Sequence, residues 1–372
     1  MRIVDWLTYT DIEQLKELNR FYGLSPNHHS KHDLICTLLS RINERDQLKQ
    51  MVEELSVVEY RFLQLILLDH HIGFSIEELL ARGRMALQDQ EGTPRSLVVG
   101  AIKRGWLFPG FSSQNQGLYH IPTDLKRQLI EHVTAPFLQD VLLEEQLDFY
   151  RNEMNLMWDD LVRFLWFTQR EIVRLTQDGA IYKQLQKKLF QTFSVITNPL
   201  ERKGPRFGFG RSYHLYPDRF SLIYDYAYYQ GYIEENEDGI LCLTKKGQGK
   251  CTGTSRTPQE LYRFWIRLYR RPIEELPIIL RWIGVLAHRK WIALSQIHMA
   301  VRPWLKRYYN ETEDSLFEKI IQMLLHLGVI QLGKKDDCTY LRLTKHGKEW
   351  MKVVSVFDEQ ALEKDFYKYI KE

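Results

Sequence analysis

At 372 residues the chain has room for two or three ordinary domains, and its 44% hydrophobic and 27% charged residues exclude collagen-like, disordered and membrane classes. No stretch approaches eighteen uncharged apolar residues, and Asp5 stands where a signal peptide would carry its apolar run, so a cytoplasmic location with no membrane partner is expected. The net charge of +3 conceals a split, because residues 1–186 hold 20 Lys and Arg against 26 Asp and Glu while residues 187–372 hold 31 against 22. Residues 187–310 alone hold 21 basic against 10 acidic side chains, which favours a polyanion partner for the middle of the chain.

The first elements in chain order are a helix from Ile12, a stop at Gly23-Leu24-Ser25-Pro26, and a second helix from Ser30 to Ile42 with a Ser30/Asp33 capping box. This helix, extended loop and helix over residues 1–48 resembles SAP-like motifs in its leucine spacing and its Lys31-x-Asp33-Leu34 start, a resemblance that implies nucleic-acid binding. A plain helical hairpin packed on the next domain reads equally well from the same residues.

Three segments then share one grammar. A helix ends in glycine, two bulky residues follow, and a turn leads to a strand that enters a new helix. In residues 49–135 the helices are Val57 to Leu68, one opened by the Ser75/Glu78 capping box, and one opened by Thr93-Pro94; Gly105-Trp106-Leu107 and Leu118 to Pro122 close the pattern. In residues 136–255 helices near Leu156 to Phe167, Ala180 to Phe193 and Asp218 to Gln230 precede Gly231-Tyr232-Ile233 and Ile240 to Thr244. In residues 256–372 helices from Leu276, Ser295 and Glu313 precede Gly328-Val329-Ile330 and Tyr340 to Thr344. The glycine supplies a left-handed C′ residue and the bulky pair starts a strand, so each segment is a helix feeding a β-hairpin. Preceded by two more helices, that arrangement is the winged helix. The expected fold is mainly α with small β-hairpins, as tandem winged-helix units after an N-terminal SAP-like helical hairpin.

The sequence L-T-x-x-G occurs at Leu175, Leu243 and Leu343, where a threonine ending a strand can cap the next helix. The copy at 175–179 lacks the preceding helix and glycine and is read as an entry into the second unit.

Signatures of catalysis are missing. Gly247-Gln248-Gly249-Lys250-Cys251-Thr252 has Thr244 where a phosphate-binding loop needs glycine and Cys251 where it needs Ser or Thr. His28, His29 and His32 read as a solvated loop, and Cys36, Cys242, Cys251 and Cys338, without C-x-x-C spacing, as reduced packing residues. No enzyme activity, cofactor or metal is expected.

The constructive signals are basic. Arg202, Lys203, Arg206 and Arg211 share a Gly-rich loop with Phe207 and Phe209, as phosphate or single-strand contact would want. Arg263 and Arg267, with Arg270 and Arg271, fall along one helical side, and Lys245 and Lys246 end the second wing. The third helix of the last segment opens instead on Glu311-Thr312-Glu313-Asp314, which would repel phosphate, and only the first segment, with Arg95, Lys103 and Arg104, offers a basic third helix.

Leu55 to Ile66, Phe74 to Leu80, Val98 to Leu107 and Leu118 to Leu129 resemble the helicase-associated winged-helix region of XPB-type DNA repair helicases, matched by Arg104-Gly105-Trp106-Leu107 and Ile121-Pro122. The motor is absent from this chain, and the motifs are marks of a fold, so no site residue transfers. The expected function is non-catalytic DNA binding through the phosphate backbone, as an accessory to a repair or recombination helicase. A protein-interaction adaptor whose units dock a partner is the alternative.

Overall fold

The chain folds as two units, Met1–Gln139 and Asp140–Glu372. The computed structural model describes residues 1–353 except 26–29, 43, 114, 140, 144–145, 202–205, 254–255 and 309–310. It is mainly helical, with small antiparallel sheets.

In the N-terminal unit α1 (Ile3–Tyr9), α2 (Ile12–Phe21), α3 (Lys31–Ile42) and α4 (Arg45–Glu53) precede α5 (Val57–Leu67), β1 (Phe74–Ser75), α6 (Ile76–Leu87), α7 (Pro94–Lys103), β2 (Phe108–Pro109), β3 (Leu118–His120) and α8 (Thr123–Thr134). Local chemistry sets the helix starts. Ser56 with Glu59 and Ser75 with Glu78 form complete capping boxes, and the Thr93 hydroxyl accepts from Ser96 N–H one residue before Pro94. The helices at 1–48 are stitched to the rest of the unit: Met1 C=O accepts from Thr123 N–H at 3.0 Å, and the Tyr22 hydroxyl donates to Arg104 C=O at 2.8 Å. They therefore share one unit with residues 49–135.

The C-terminal unit runs β4 (Val141–Leu142), β5 (Phe149–Asn152), α9 (Leu156–Arg170), β6 (Val173–Arg174), α10 (Lys183–Phe190), α11 (Asp218–Tyr229), β7 (Ile233–Glu235), β8 (Ile240–Leu243), α12 (Lys245–Thr252), α13 (Pro258–Tyr269), α14 (Leu276–Leu286), β9 (Trp291–Ala293), α15 (Leu294–Val301), α16 (Glu313–His326), β10 (Ile330–Lys335), β11 (Cys338–Leu343) and α17 (Lys345–Val353). Its core holds Trp265, Trp282, Trp291 and Trp304, all under 2% exposed.

One order of elements occurs three times: helix, strand, helix, helix, strand, strand. The last strand lies between the other two, as β1-β3-β2, β6-β8-β7 and β9-β11-β10. Gly105, Gly231 and Gly328 stand two residues past the ends of α7, α11 and α16 with φ of 67°, 64° and 70°. Each closes the same pair of bonds. The glycine N–H reaches the carbonyl three residues back, and the next N–H reaches five back, as from Trp106 to Ala101 at 3.0 Å and from Tyr232 to Ala227 at 2.9 Å. The strand starts two residues after Gly231 and Gly328 and three after Gly105.

The L-T-x-x-G motif acts as a clasp on that turn in the second and third copies. The Thr344 hydroxyl donates to Gly328 C=O at 2.7 Å and accepts from Gly347 N–H at 2.9 Å, and Thr344 N–H donates to Val329 C=O. Thr244 does the same with Gly231, Gly247 and Tyr232. A Cβ at Gly247 would lie 2.2 Å from Tyr232 O, and one at Gly347 2.0 Å from Val329 O, so only glycine fits. Leu175 to Gly179 forms something else: Thr176 N–H bonds to Ala180 C=O in a turn before α10.

Val141–Leu142 and Phe149–Asn152, expected in the second segment, supply the two edges of the third sheet, whose full order is β4-β9-β11-β10-β5. Leu142 and Leu147 cover Trp291, Ala293 and Tyr340. A buried ion cluster follows β5. Arg219 on α11 pairs with Asp160 on α9 at 2.7 Å, and Glu153 accepts from the His326 ring on α16 at 2.8 Å. Burial pushes the Glu153 carboxyl up, but His326, Arg151 and Arg219 outweigh it and hold it below the usual range.

Candidate nucleic-acid interface

The three helices in the third position of the repeat, α7, α11 and α16, meet very different surroundings. Every residue of α11 from Arg219 to Ala227 is buried, because the helix packs against α9, α13 and α16. It cannot enter a DNA groove. The outward residues of α16 are Asp314, Glu318 and Gln322, an acidic face that would repel phosphate. On α7, by contrast, Arg95, Ser96, Val99 and Lys103 are exposed, while Leu97, Val98 and Ala101 face the core.

Among the described residues neither Arg95 nor Lys103 has an ion pair. Arg104 is engaged: its guanidinium bonds to Glu59 at 2.7 Å and lies over Trp106. Burial, the largest influence on Glu59, raises its carboxyl, yet Ser56 and Arg104 hold it below the ordinary value. The outward face of α7 therefore presents Arg95 beside the positive end of the helix dipole, and Lys103 at the opposite end, to solvent.

The cations expected in the central loop are placed differently. Arg202 and Lys203 lie outside the described residues. Arg206 pairs with Asp218 and donates to Tyr216 C=O at 2.7 Å, bracing the loop on the start of α11. Arg211 forms a two-pronged pair with Glu235, at 2.6 Å for one prong, and lies over the Tyr228 ring at 4.2 Å. The Arg211 hydrogen bond holds the Glu235 carboxyl below its usual range. The Asp225 carboxylate accepts from Arg211 N–H at 2.8 Å and Ser212 N–H at 3.0 Å, and burial raises it despite those bonds. Phe207 and Phe209 meet Tyr269 and Tyr308 edge to face at 5.0 to 6.4 Å, so these rings pack inward.

Lys245 opens α12 and is exposed, and Lys246 donates to Gln230 C=O at 2.7 Å. Arg263 is exposed on α13, whereas Arg267 lies over Phe264 at 5.4 Å. Gly247 to Thr252 lie within α12, with Lys250 over Trp158 at 4.6 Å. His28 and His29 are outside the described residues, and His32 meets Cys36 at 3.5 Å. All four cysteines are free; Cys36 and Cys338 sit at the surface, where packing does not explain them. Among the described residues no group of three His, Cys, Asp or Glu side chains is placed to hold a metal ion, and no helix is long and apolar enough to cross a membrane. Comparison with family models, curated proteins and solved structures finds no match.

Proposed function

We propose that the chain is a non-catalytic DNA-binding protein built of tandem winged-helix units, and that the first unit contacts the phosphates of duplex DNA through α7. The observation that carries this reading is the outward face of α7, where Arg95 and Lys103 are exposed and have no ion pair among the described residues, on a helix that starts at the Thr93 cap. Exposed Lys245 and Arg263 add cations in the second and third segments. The likeness of residues 55–129 to the XPB-associated region supports a place beside a repair or recombination helicase. Fluorescence anisotropy with duplex DNA at two salt concentrations tests it: affinity should fall steeply with salt, and Arg95→Ala with Lys103→Ala should weaken it. Salt-independent or absent binding overturns the reading.

The adaptor reading has its own observation. A cavity of about 620 Å³ beside α15, α16 and β11 is lined by His298, Asp314, Phe317, Glu318 and Asp337, acidic with an apolar floor. A basic peptide with an apolar anchor suits it, and DNA does not.

A further inference from the structure

We propose that the exposed ring stack of Tyr9 and Phe111 receives an unpaired nucleobase, so that the preferred DNA is a duplex ending in a single-stranded extension; this rests on the DNA-binding reading above. Tyr9 ends α1, and Phe111 sits on the β2–β3 hairpin that directly follows α7. Their rings lie 4.0 Å apart and 16° from parallel. Tyr9 is 62% exposed and Phe111 42% exposed, so both rings of the stack are reached by solvent.

The stack is held from beneath. Buried Trp6 meets Phe111 edge-on at 5.3 Å and stacks on His120 at 5.0 Å. The hairpin is fixed by Gly110 N–H to Leu118 C=O at 2.7 Å, and by Ser112 N–H and hydroxyl to Asn115 Oδ1, both at 2.8 Å. Two aromatic rings in a fixed stack on the surface, rather than folded into the core below, leave apolar area in water that a partner of matching shape would cover.

Charge decides which partner. The described residues of this hairpin between β2 and β3, among them Ser112, Ser113, Asn115 and Gln116, carry no charge and offer amide and hydroxyl groups, which suits the edges of a base. A cation is supplied alongside: exposed Lys31 donates to Thr8 C=O at 2.8 Å, next to Tyr9, where it can meet the phosphate of a stacked nucleotide. Flat rings accept any base by its π-face, so the contact discriminates strandedness rather than sequence.

The test compares a blunt duplex, the same duplex with a short thymine extension, and oligo-thymidine, by anisotropy on the full chain. Wild type should bind the extended duplex roughly tenfold tighter than the blunt one, the value of about one stacked base. Tyr9→Ala with Phe111→Ala should abolish that preference while blunt-duplex affinity stays, and Tyr9→Trp, which keeps a stacking ring, should retain it. Arg95→Ala with Lys103→Ala should weaken both duplexes and leave the ratio standing. Equal affinity of wild type for the two duplexes, or an equal loss for both in the Tyr9→Ala, Phe111→Ala protein, overturns this inference alone. Absence of binding to every DNA overturns the DNA-binding reading with it.

Discussion

Helices α7 and α11 hold the same place in the repeat and end in the same glycine turn, yet one shows Arg95, Val99 and Lys103 to solvent and the other is buried from Arg219 to Ala227. The turn bonds are alike because they depend on glycine and a few neighbours. The faces differ because α11 is covered by α9, α13 and α16. A repeated topology therefore fixes how a helix is made and leaves open what it can touch. The contrast extends to the clasp, since the first copy has Pro122 and Leu125 where the second has Thr244 and Gly247.

The largest expected effect comes from breaking the clasp. Gly347→Ala places a Cβ 2.0 Å from Val329 O, so one backbone must move, and the C-terminal unit should lose roughly 3 kcal/mol in a denaturant titration. Thr344→Val, which removes the hydroxyl but adds no clash, should cost less, about 1 to 2 kcal/mol. If Gly347→Ala is neutral, the close approach is not what selects glycine there.

Next in size is the difference between the two helix faces. Replacing Arg95 and Lys103 by Ala should weaken duplex binding and flatten the slope of log affinity against log salt by about two, one unit per phosphate contact. Replacing Asp314 and Glu318 on α16 should leave duplex binding unchanged or slightly stronger, because their carboxylates oppose phosphate. The reverse pattern would transfer the interface to α16 and favour the adaptor.

A smaller effect separates the braced loop from an open one. The Glu235 carboxyl is held below its ordinary value by Arg211, so the pair adds stability above the unfolded carboxyl pKa and loses it as pH falls through the lower folded value. Thermal melts of wild type should therefore drop between about pH 5 and pH 3, and Arg211→Ala should flatten that part of the profile. An unchanged profile would mean that Arg211 does not hold Glu235.

Much of the scaffold was legible because its signals are short in range. The Ser75/Glu78 box, the Thr93-Pro94 start and the turns at Gly105, Gly231 and Gly328 each involve residues within one or two helical turns. Strands β4 and β5 gave no comparable signal. Val141–Leu142 is two residues long and Phe149–Asn152 is exposed throughout, so each is a strand only because the third sheet offers an edge to pair with. The candidate site was legible as charge and not as availability. Arg206 and Arg211 look like phosphate hooks until Asp218 and Glu235 take them, and Glu235 stands 24 residues from Arg211.

The sequence by itself determined where helices begin, where glycine ends them and which segments repeat, because caps and turns are closed by neighbours along the chain. Tertiary structure alone decided that α11 is sealed, that Arg206 and Arg211 are paired and that Tyr9 stacks on Phe111. Burial and ion pairing depend on which distant elements come to share a surface, and Tyr9 and Phe111, which lie in different elements far apart in sequence, meet only through the packing of the whole unit.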